Sequence, residues 1–389
     1  MTPELQSRLA RIQRRALLLG VIALAASVPG AFARPAQFFF SYLSAYVFWF
    51  GLSLGCFLIA MMHQLTGGRW GYPTRRFLEA GFMVLPLLLL LFGPILVGLK
   101  AVYPWAQPAT IAADEVLQHR RPWLNHWAYA ARALLFFGLW ILMAARLRAW
   151  SLAQDQTADA APTRKARTLS GPGIVLLGLS GTFAVVDWLL SLEPHWHSTM
   201  FAVIVIIGHI LTALAFVIVV LALFRNREPI ESAIQPVHFH QLGNLLLTFV
   251  LFWTYVSFGE LLIVYSGDLP REVDWYLHRI AGGWKTVIVG LALFHFFVPF
   301  FLLLFRAVKR NVAALATLAG LLFAMHYVHT WWLVMPALHP HDVAGSWLDF
   351  TLPIGIGGLW LSAFCARLKA APLLPRNDPI GQFAPVYGR

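Results

Sequence analysis

Charged residues and cysteines are scarce in this sequence of 389 residues. Charged residues make up 12% of the chain and hydrophobic residues 59%, whereas about a quarter of a typical soluble domain is charged. The two cysteines, Cys56 and Cys365, both lie in apolar segments and cannot by themselves ligate an iron–sulfur cluster. The CxxCH motif is missing as well, which excludes c-type haem attachment by that route.

Long apolar runs account for most of the chain and predict an all-α, polytopic membrane protein with one transmembrane domain over residues 1–389. At about 20 residues per crossing, we predict ten transmembrane helices. Residues 1–14 are predicted to form an N-terminal arm, and the Pro-rich residues 370–389 a C-terminal tail. The predicted spans are 15–33, 37–64, 76–101, 123–147, 169–191, 198–224, 239–265, 281–306, 311–335 and 346–368.

The first apolar run has a second interpretation, because four arginines precede it and Ala31-Phe32-Ala33 ends it. That pattern is also typical of a secretory signal with its cleavage site. We favour a retained helix, since a count of ten spans leaves the charge asymmetry between the two sides intact.

Basic residues are distributed unevenly between the two sides of these spans. With the N-terminus inside, 21 Lys and Arg lie in inner loops and tails and 6 in outer loops. Cytoplasmic loops collect Lys and Arg, so both termini are predicted to be cytoplasmic. The formal net charge of +12 is explained in the same way and does not indicate a nucleic-acid partner.

Five ionisable residues lie within or close to the predicted spans, where a charge is costly and marks a substrate or proton path by default. Asp187 and Glu260 lie near the outer ends of spans five and seven, and Arg132 and Lys285 reach a similar depth. Glu79 lies near the inner surface, where it either pairs with the arginines before it or admits protons. The five are candidates for a proton path; the alternative is a set of ion pairs that fixes helix packing.

Span seven carries further polar side chains before Glu260. Amides and hydroxyls of this kind either bond to one another between helices or provide the steps of a proton wire that ends at Glu260. They are Gln241, Asn244, Thr248, Tyr255 and Ser257.

Four histidines lie in the later spans. His209 and His295 are near the middle of spans six and eight, and His326 and His329 are near the outer end of span nine. Imidazole and aromatic rings together suit a quinone head group, which makes His326, His329 and Trp331 the candidate contacts. Aromatic anchoring at the interface explains the same residues, and a transmembrane haem b would need a pair such as His209 and His295.

Several strings along the chain are shared with a known family. They are HQLTGGRWG (63–71), RRFLEA (75–80), VDWLLSLEPHW (186–196), YSGDLPREVDWYLHR (265–279) with GGW (282–284), and SWLDF (346–350). Over about residues 37 to 375 the chain resembles the NrfD-like, quinone-binding-type membrane subunits of bacterial alternative complex III, of the ActF type.

The resemblance implies ten helices, with helices two to five and six to nine in two four-helix bundles and two peripheral helices. It implies a subunit of a respiratory quinol:electron-acceptor oxidoreductase in the bacterial inner membrane, where intramembrane acids form proton half-channels. Of the candidates, Glu79 falls in RRFLEA and Asp187 in VDW. The partners implied are an ActC-like membrane subunit, an iron–sulfur subunit, c-type cytochrome subunits and a terminal oxidase. Haems and clusters are expected in those partners only.

We therefore expect a subunit without its own redox centre that conducts or translocates protons and scaffolds the complex. The loop 191–199 is its predicted contact with periplasmic subunits. One alternative is a catalytic quinol site within this chain, with a quinone or menaquinone as ligand. Another is a stand-alone ion or solute transporter.

Overall fold

The structure, a computed structural model, describes residues 2–379 and contains only helices within them. Ten of these helices are long and apolar enough to cross a membrane, which confirms the predicted number and indicates a multi-pass membrane protein. We label them α1 to α10 in chain order and call the ends predicted to face the periplasm the outer ends. They are Pro3–Ala33, Pro35–Thr66, Gly71–Val97, His126–Gln154, Ala161–Leu192, Phe201–Phe224, Pro236–Gly267, Trp284–Leu304, Val312–Ala337 and Leu348–Lys369.

The helices begin where the sequence supplies side-chain caps or prolines. The side chains of Asn125 and Asn311 accept hydrogen bonds from the first turns of α4 and α9, while Pro35 and Pro236 stand at the first positions of α2 and α7. Proline suits that position because its missing N–H would have no partner there. The starts of these four helices, α2, α4, α7 and α9, lie within a few residues of the predicted ones.

Several inner ends extend beyond the predicted spans. Helix α1 begins at Pro3 instead of residue 15, so the predicted N-terminal arm is helical, and α4 continues to Gln154. The added residues include Arg, Gln and Ala, which are good helix formers. Hydropathy therefore located the membrane-crossing part but not the helix ends.

Two helices are irregular. Three short helical segments form α3, namely Gly71–Phe82, Leu85–Leu91 and Gly93–Val97. Helix α8 contains a π-helical stretch at Ala292–Phe297, followed closely by Pro299, which has no N–H to donate to the carbonyl of His295. Such stretches occur frequently at functional sites.

Helices α2 and α6 occupy the centre of the molecule, with 83% and 78% of their most apolar windows buried. Helix α2 contacts α3, α5, α6, α9 and α10, and α4 packs on α3 and α5. Helix α6 contacts α7 and α9, while α8 packs between α7 and α9. Helix α1 runs along α10, where a Cβ on Gly358 would lie 2.5 Å from the carbonyl oxygen of Ala16.

The first part of the predicted C-terminal tail packs against the inner ends of the helices. The Arg376 amide donates to Asp155 Oδ1 at 2.8 Å, and Asp378 lies 3.0 Å from Arg75. Residues 380–389 of the predicted tail lie outside the described residues.

Candidate functional site

The outer ends of α4 and α5 are joined by an ion pair between Arg132 and Asp187. Arg132 Nε and Nη2 lie 2.7 and 2.9 Å from the two oxygens of Asp187, and Trp123 Nε1 donates to the same carboxylate at 3.0 Å. The guanidinium also lies over the Trp123 ring, 4.1 Å from its centroid. Asp187 is therefore buried with a bidentate partner, the strong form of a charged hydrogen bond.

A second ion network closes the inner ends of α3 and α4 around Glu79. Arg76 Nη1 lies 2.8 Å from Glu79 Oε2, Arg148 contacts the same oxygen, and Ser151 donates to the other. Arg76 also reaches Asp155 at 2.5 Å. Sequence analysis left two interpretations of Glu79, a pair with the preceding arginines or an entry point for protons. In the structure Glu79 pairs with Arg76, and Arg148 is a second partner that was not predicted.

Glu260, near the outer end of α7, is also buried but has no cationic partner among residues 2–379. It accepts a hydrogen bond from Ser198 and lies beside the hydroxyl of Tyr276. Burial and the Glu260 carboxylate both raise the pKa of Tyr276, so this phenol is a protonated donor. Lys285 is exposed in the first turn of α8 and forms no ion pair in the described part of the chain.

The four charged residues predicted to lie at a similar depth near the outer surface do not form one cluster in the structure. Arg132 and Asp187 come together as a pair, whereas Glu260 and Lys285 take no part in it. Equal depth is necessary for contact but does not determine which way a side chain points. Lys285 is the second residue of α8 and is exposed, and long cationic side chains near membrane interfaces commonly keep their charge in water.

Four histidines from three helices form a buried cluster at the centre of the second half of the molecule. His326 lies 6.0 Å from His209, 5.8 Å from His295 and 5.5 Å from His329, measured between ring centroids. His295 and His329 are 6.0 Å apart. No described residues form a group of three or more His, Cys, Asp or Glu with metal-site geometry.

The ring nitrogens of this cluster are largely without hydrogen-bond partners. Both nitrogens of His295 and of His326, together with Nδ1 of His209 and of His329, are buried and have no hydrogen-bond partner within residues 2–379. An unsatisfied buried polar group costs about 1–3 kcal/mol. An ordered water beside each of these nitrogens would offset this cost.

Glycines on neighbouring helices make room for the cluster. A Cβ on Gly208 would lie 2.4 Å from His326 Cε1, and one on Gly51 would lie 2.0 Å from His209 Nδ1. The imidazoles occupy the space next to these two backbones, so glycine is required by close approach and not by backbone conformation.

Replacing Gly208 by alanine is expected to displace His326 and to cost about 1–3 kcal/mol of stability, because extra volume in a packed core forces side chains to shift. The thermal midpoint of the purified protein measures this loss. Gly178 on α5, where nothing lies within 4 Å of an added Cβ, supplies the matched control. Equal midpoints for the two alanine variants would contradict the packing described here.

A cavity of about 620 Å³ lies between α6, α7, α8 and α9 at the outer side of the histidine cluster. His329 and Glu260 both line it, so this carboxylate and the outermost imidazole share one cavity wall. The rest of the wall is almost entirely apolar or aromatic. Its other residues include Phe201, Ile204, Trp253, Ser257, Phe258, Trp275, Tyr276, Ala292, Phe297 and Trp332.

The three residues predicted to contact a quinone are placed differently from one another. His329 lines the cavity. His326 lies behind it in the cluster, and Trp331 packs against Trp284 with ring centroids 5.0 Å apart, outside the cavity wall. On a helix, residues 329 and 331 point to different sides, so only one of the two can face this space.

The polar side chains of α7 do not form a continuous wire. Thr248 bonds to its own helix at the carbonyl of Asn244, and Tyr255 is 75% exposed. Trp253, Ser257 and Glu260 instead follow one face of the helix at spacings of four and three residues. Sequence analysis missed Trp253 and Tyr276; the i, i+4, i+7 spacing that ends at Glu260 would have indicated the first.

The loop 191–199 is largely built into this protein's own fold. Trp196 stacks on Trp275 at 4.3 Å between centroids, and Glu193 lies 2.6 Å from Arg279. Burial lowers the pKa of Arg279, while Glu193 raises it. Arg120 contacts His197, and His195 Nε2 lies 2.7 Å from Asp114. His195, His197 and Thr199 are the exposed side chains of the loop, so the surface left for the predicted docking role is small.

Comparison with protein-family models and with curated proteins found no match to this chain.

Proposed function

We propose that this protein is a membrane subunit of a respiratory quinol oxidoreductase that carries protons through the outer half of the bilayer. The observation that carries the proposal is the placement of Glu260. It is a buried carboxylate that has no cationic partner within the part of the chain that the structure describes, and it shares a cavity with His329, the outermost of four contacting histidines. Intramembrane ionisable residues that face a cavity mark ion or proton paths.

The proposed route runs from Glu260 through His329 to the other histidines and ends near the middle of α6 at His209. A carboxylate paired with a cation gives up that interaction whenever it is protonated, which makes it a poor carrier. Asp187 and Glu79 are held in this way by Arg132 and by two arginines. Their proposed role is therefore to fix helix packing. Of the five ionisable residues that the sequence suggested for a proton path, only Glu260 is kept in the proposed route.

The assignment to a quinol oxidoreductase rests on the sequence strings that resemble the NrfD-like subunits of alternative complex III. Helix contacts support the two four-helix bundles of that family, since α2–α5 and α6–α9 each close on themselves with α1 and α10 outside. The excess of basic residues in inner loops supports cytoplasmic termini in a bacterial inner membrane. Redox centres are assigned to partner subunits, as the resemblance implies.

Gentle purification tests this assignment. We expect a tagged form of the chain to copurify with subunits that contain haem and iron–sulfur clusters. Quinol oxidation by the assembly in vesicles should then release protons on the outer side. Isolation of the chain alone, with ion or solute flux that needs no redox partner, would instead identify a stand-alone transporter.

A further inference from the structure

A cluster of basic residues lies at the inner ends of α7, α8 and α9. Arg306, Lys309 and Arg310 belong to the short helix Arg306–Arg310 that connects α8 to α9, and this helix packs on α7. The charges of all three act on His240 of α7. None of the three forms an ion pair within residues 2–379. We call these four residues the inner basic cluster; its positive charge is not compensated by the described part of the chain.

Lys309 is held in place although it has no polar partner. It is 8% exposed, and a Cβ on Gly243 would lie 2.8 Å from its Cγ, so the stem lies directly against the backbone of α7. Its ammonium forms no hydrogen bond to the described residues and is not enclosed by them. This is the snorkelling arrangement, with a covered stem and a charged end at the surface. The three donors of the ammonium are therefore available to a group outside the described chain.

Apolar and amide side chains adjoin the inner basic cluster on its membrane side. Phe301, Leu304 and Phe305, at the inner end of α8 and directly after it, are 56%, 52% and 63% exposed. Asn244 is exposed on α7, about 6 Å deeper than His240 and on the same face of the helix. Its side chain has no hydrogen-bond partner in the described chain. Hydrocarbon offers an amide no partner, so Asn244 also needs a polar group from outside.

These features match the parts of an anionic phospholipid in the order in which such a molecule crosses the interface. The phosphate suits the cations of the Arg306–Arg310 helix, the ester carbonyls below it suit the donors of the Asn244 amide, and the acyl chains suit the exposed surface of α8. Basic pockets between transmembrane helices on the cytoplasmic side bind anionic head groups in this way. A free phosphate would use only the first of the three features.

We propose that the inner basic cluster binds one anionic phospholipid of the inner leaflet, with the phosphate at Lys309, Arg306 and Arg310 and the ester region beside Asn244. The inference does not depend on the proposed proton path, because Glu260 lies about 30 Å further along α7 than His240. The competing explanation is a diffuse attraction of all inner cations to an anionic membrane surface.

A thermal-shift titration in detergent tests the inference on the purified protein together with any subunits that accompany it. Dioleoylphosphatidylglycerol is expected to raise the thermal midpoint in a saturable way, since a ligand that binds only the folded protein stabilises it. Dioleoylphosphatidylcholine, which has the same acyl chains and no net charge, should have a much smaller effect, as should sodium phosphate. An equal shift with phosphatidylcholine would show that charge is not recognised, and an equal shift with phosphate would identify a free-anion site. Either result would overturn the inference.

Substitutions locate the binding site. Lys309→Gln should weaken the apparent affinity for dioleoylphosphatidylglycerol about fivefold and Lys309→Gln/Arg310→Gln about thirtyfold, from the contribution of each basic residue near an anionic surface. Arg14→Gln/Arg15→Gln is the matched control, because it removes the same charge from two exposed arginines on the inner part of α1. Its affinity should equal that of the natural protein. An equal loss in both double variants would identify diffuse attraction and contradict the site, as would unchanged affinity in Lys309→Gln/Arg310→Gln.

Stability without added lipid provides a separate check on these variants. Lys309 has no ion pair to lose in the described chain, so Lys309→Gln should leave the thermal midpoint in detergent alone unchanged. If that midpoint falls, Arg306→Gln/Arg310→Gln, which alters only exposed side chains, replaces it in the titration. The same loss of about thirtyfold is then expected, and unchanged affinity would overturn the inference.

Discussion

Glu260→Gln is expected to lower proton release per electron to about the one proton per electron that quinol oxidation itself liberates, because the amide cannot carry a proton and positioned acid–base groups typically contribute about 10²–10⁴-fold to the rate of a proton transfer. The substitution preserves size and can still accept from Ser198 and Tyr276. Proton release is measured with a pH-sensitive dye after addition of quinol to vesicles that contain the assembled complex. Electron transfer to the acceptor is recorded in parallel, so that the ratio of the two isolates the proton path.

Asp274→Asn provides the matched control for this experiment. Asp274 is an exposed acid on the short helix Pro270–Ile280 that also carries Tyr276, and it does not line the cavity. Its neutralisation should leave the proton ratio unchanged. A ratio in Glu260→Gln equal to that in Asp274→Asn would remove Glu260 from the path.

Asp187→Asn is expected to destabilise the protein by up to about 3–5 kcal/mol, since it leaves the half-buried Arg132 charge without its counter-ion. The bidentate geometry and the Trp123 contacts make this pair a structural unit that joins α4 to α5. The thermal midpoint and the yield of assembled complex measure the effect. Proton release per electron should remain close to normal in whatever fraction assembles.

The double variant Arg132→Leu/Asp187→Leu separates pairing from charge. Replacing both partners of a buried pair by apolar residues is often neutral or stabilising, so stability should recover towards that of the natural protein. Recovered stability combined with lost proton release would show that Asp187 carries protons. That outcome would contradict the role given to it here.

The sequence was sufficient to predict the ten helices and the existence of a partner for Arg132. A guanidinium that deep in a helix must face an anion, and Asp187 lies at the matching depth on the next helix. Depth did not determine direction, which is why Lys285, exposed on α8, was grouped with residues it does not contact. Side-chain direction depends on helix rotation, which packing sets and hydropathy does not.

The histidine cluster was only partly predictable for a related reason. His209 and His295 were recognised as mid-membrane residues and His326 and His329 as outer ones, but their contact requires α6, α8 and α9 to be neighbours. It also depends on the π-helical turn around His295 and on the space beside Gly208. These are tertiary features, whereas the sequence pattern records only spacing along each helix.

The central claim is that Glu260, and not Asp187, changes its protonation during turnover. Infrared difference spectroscopy of the complex, with and without quinol, detects this directly through the carbonyl band of a protonated carboxylic acid. We predict a turnover-dependent band that is lost in Glu260→Gln and retained in Arg132→Leu/Asp187→Leu. A band that persists in Glu260→Gln and disappears when Asp187 is replaced would contradict the account.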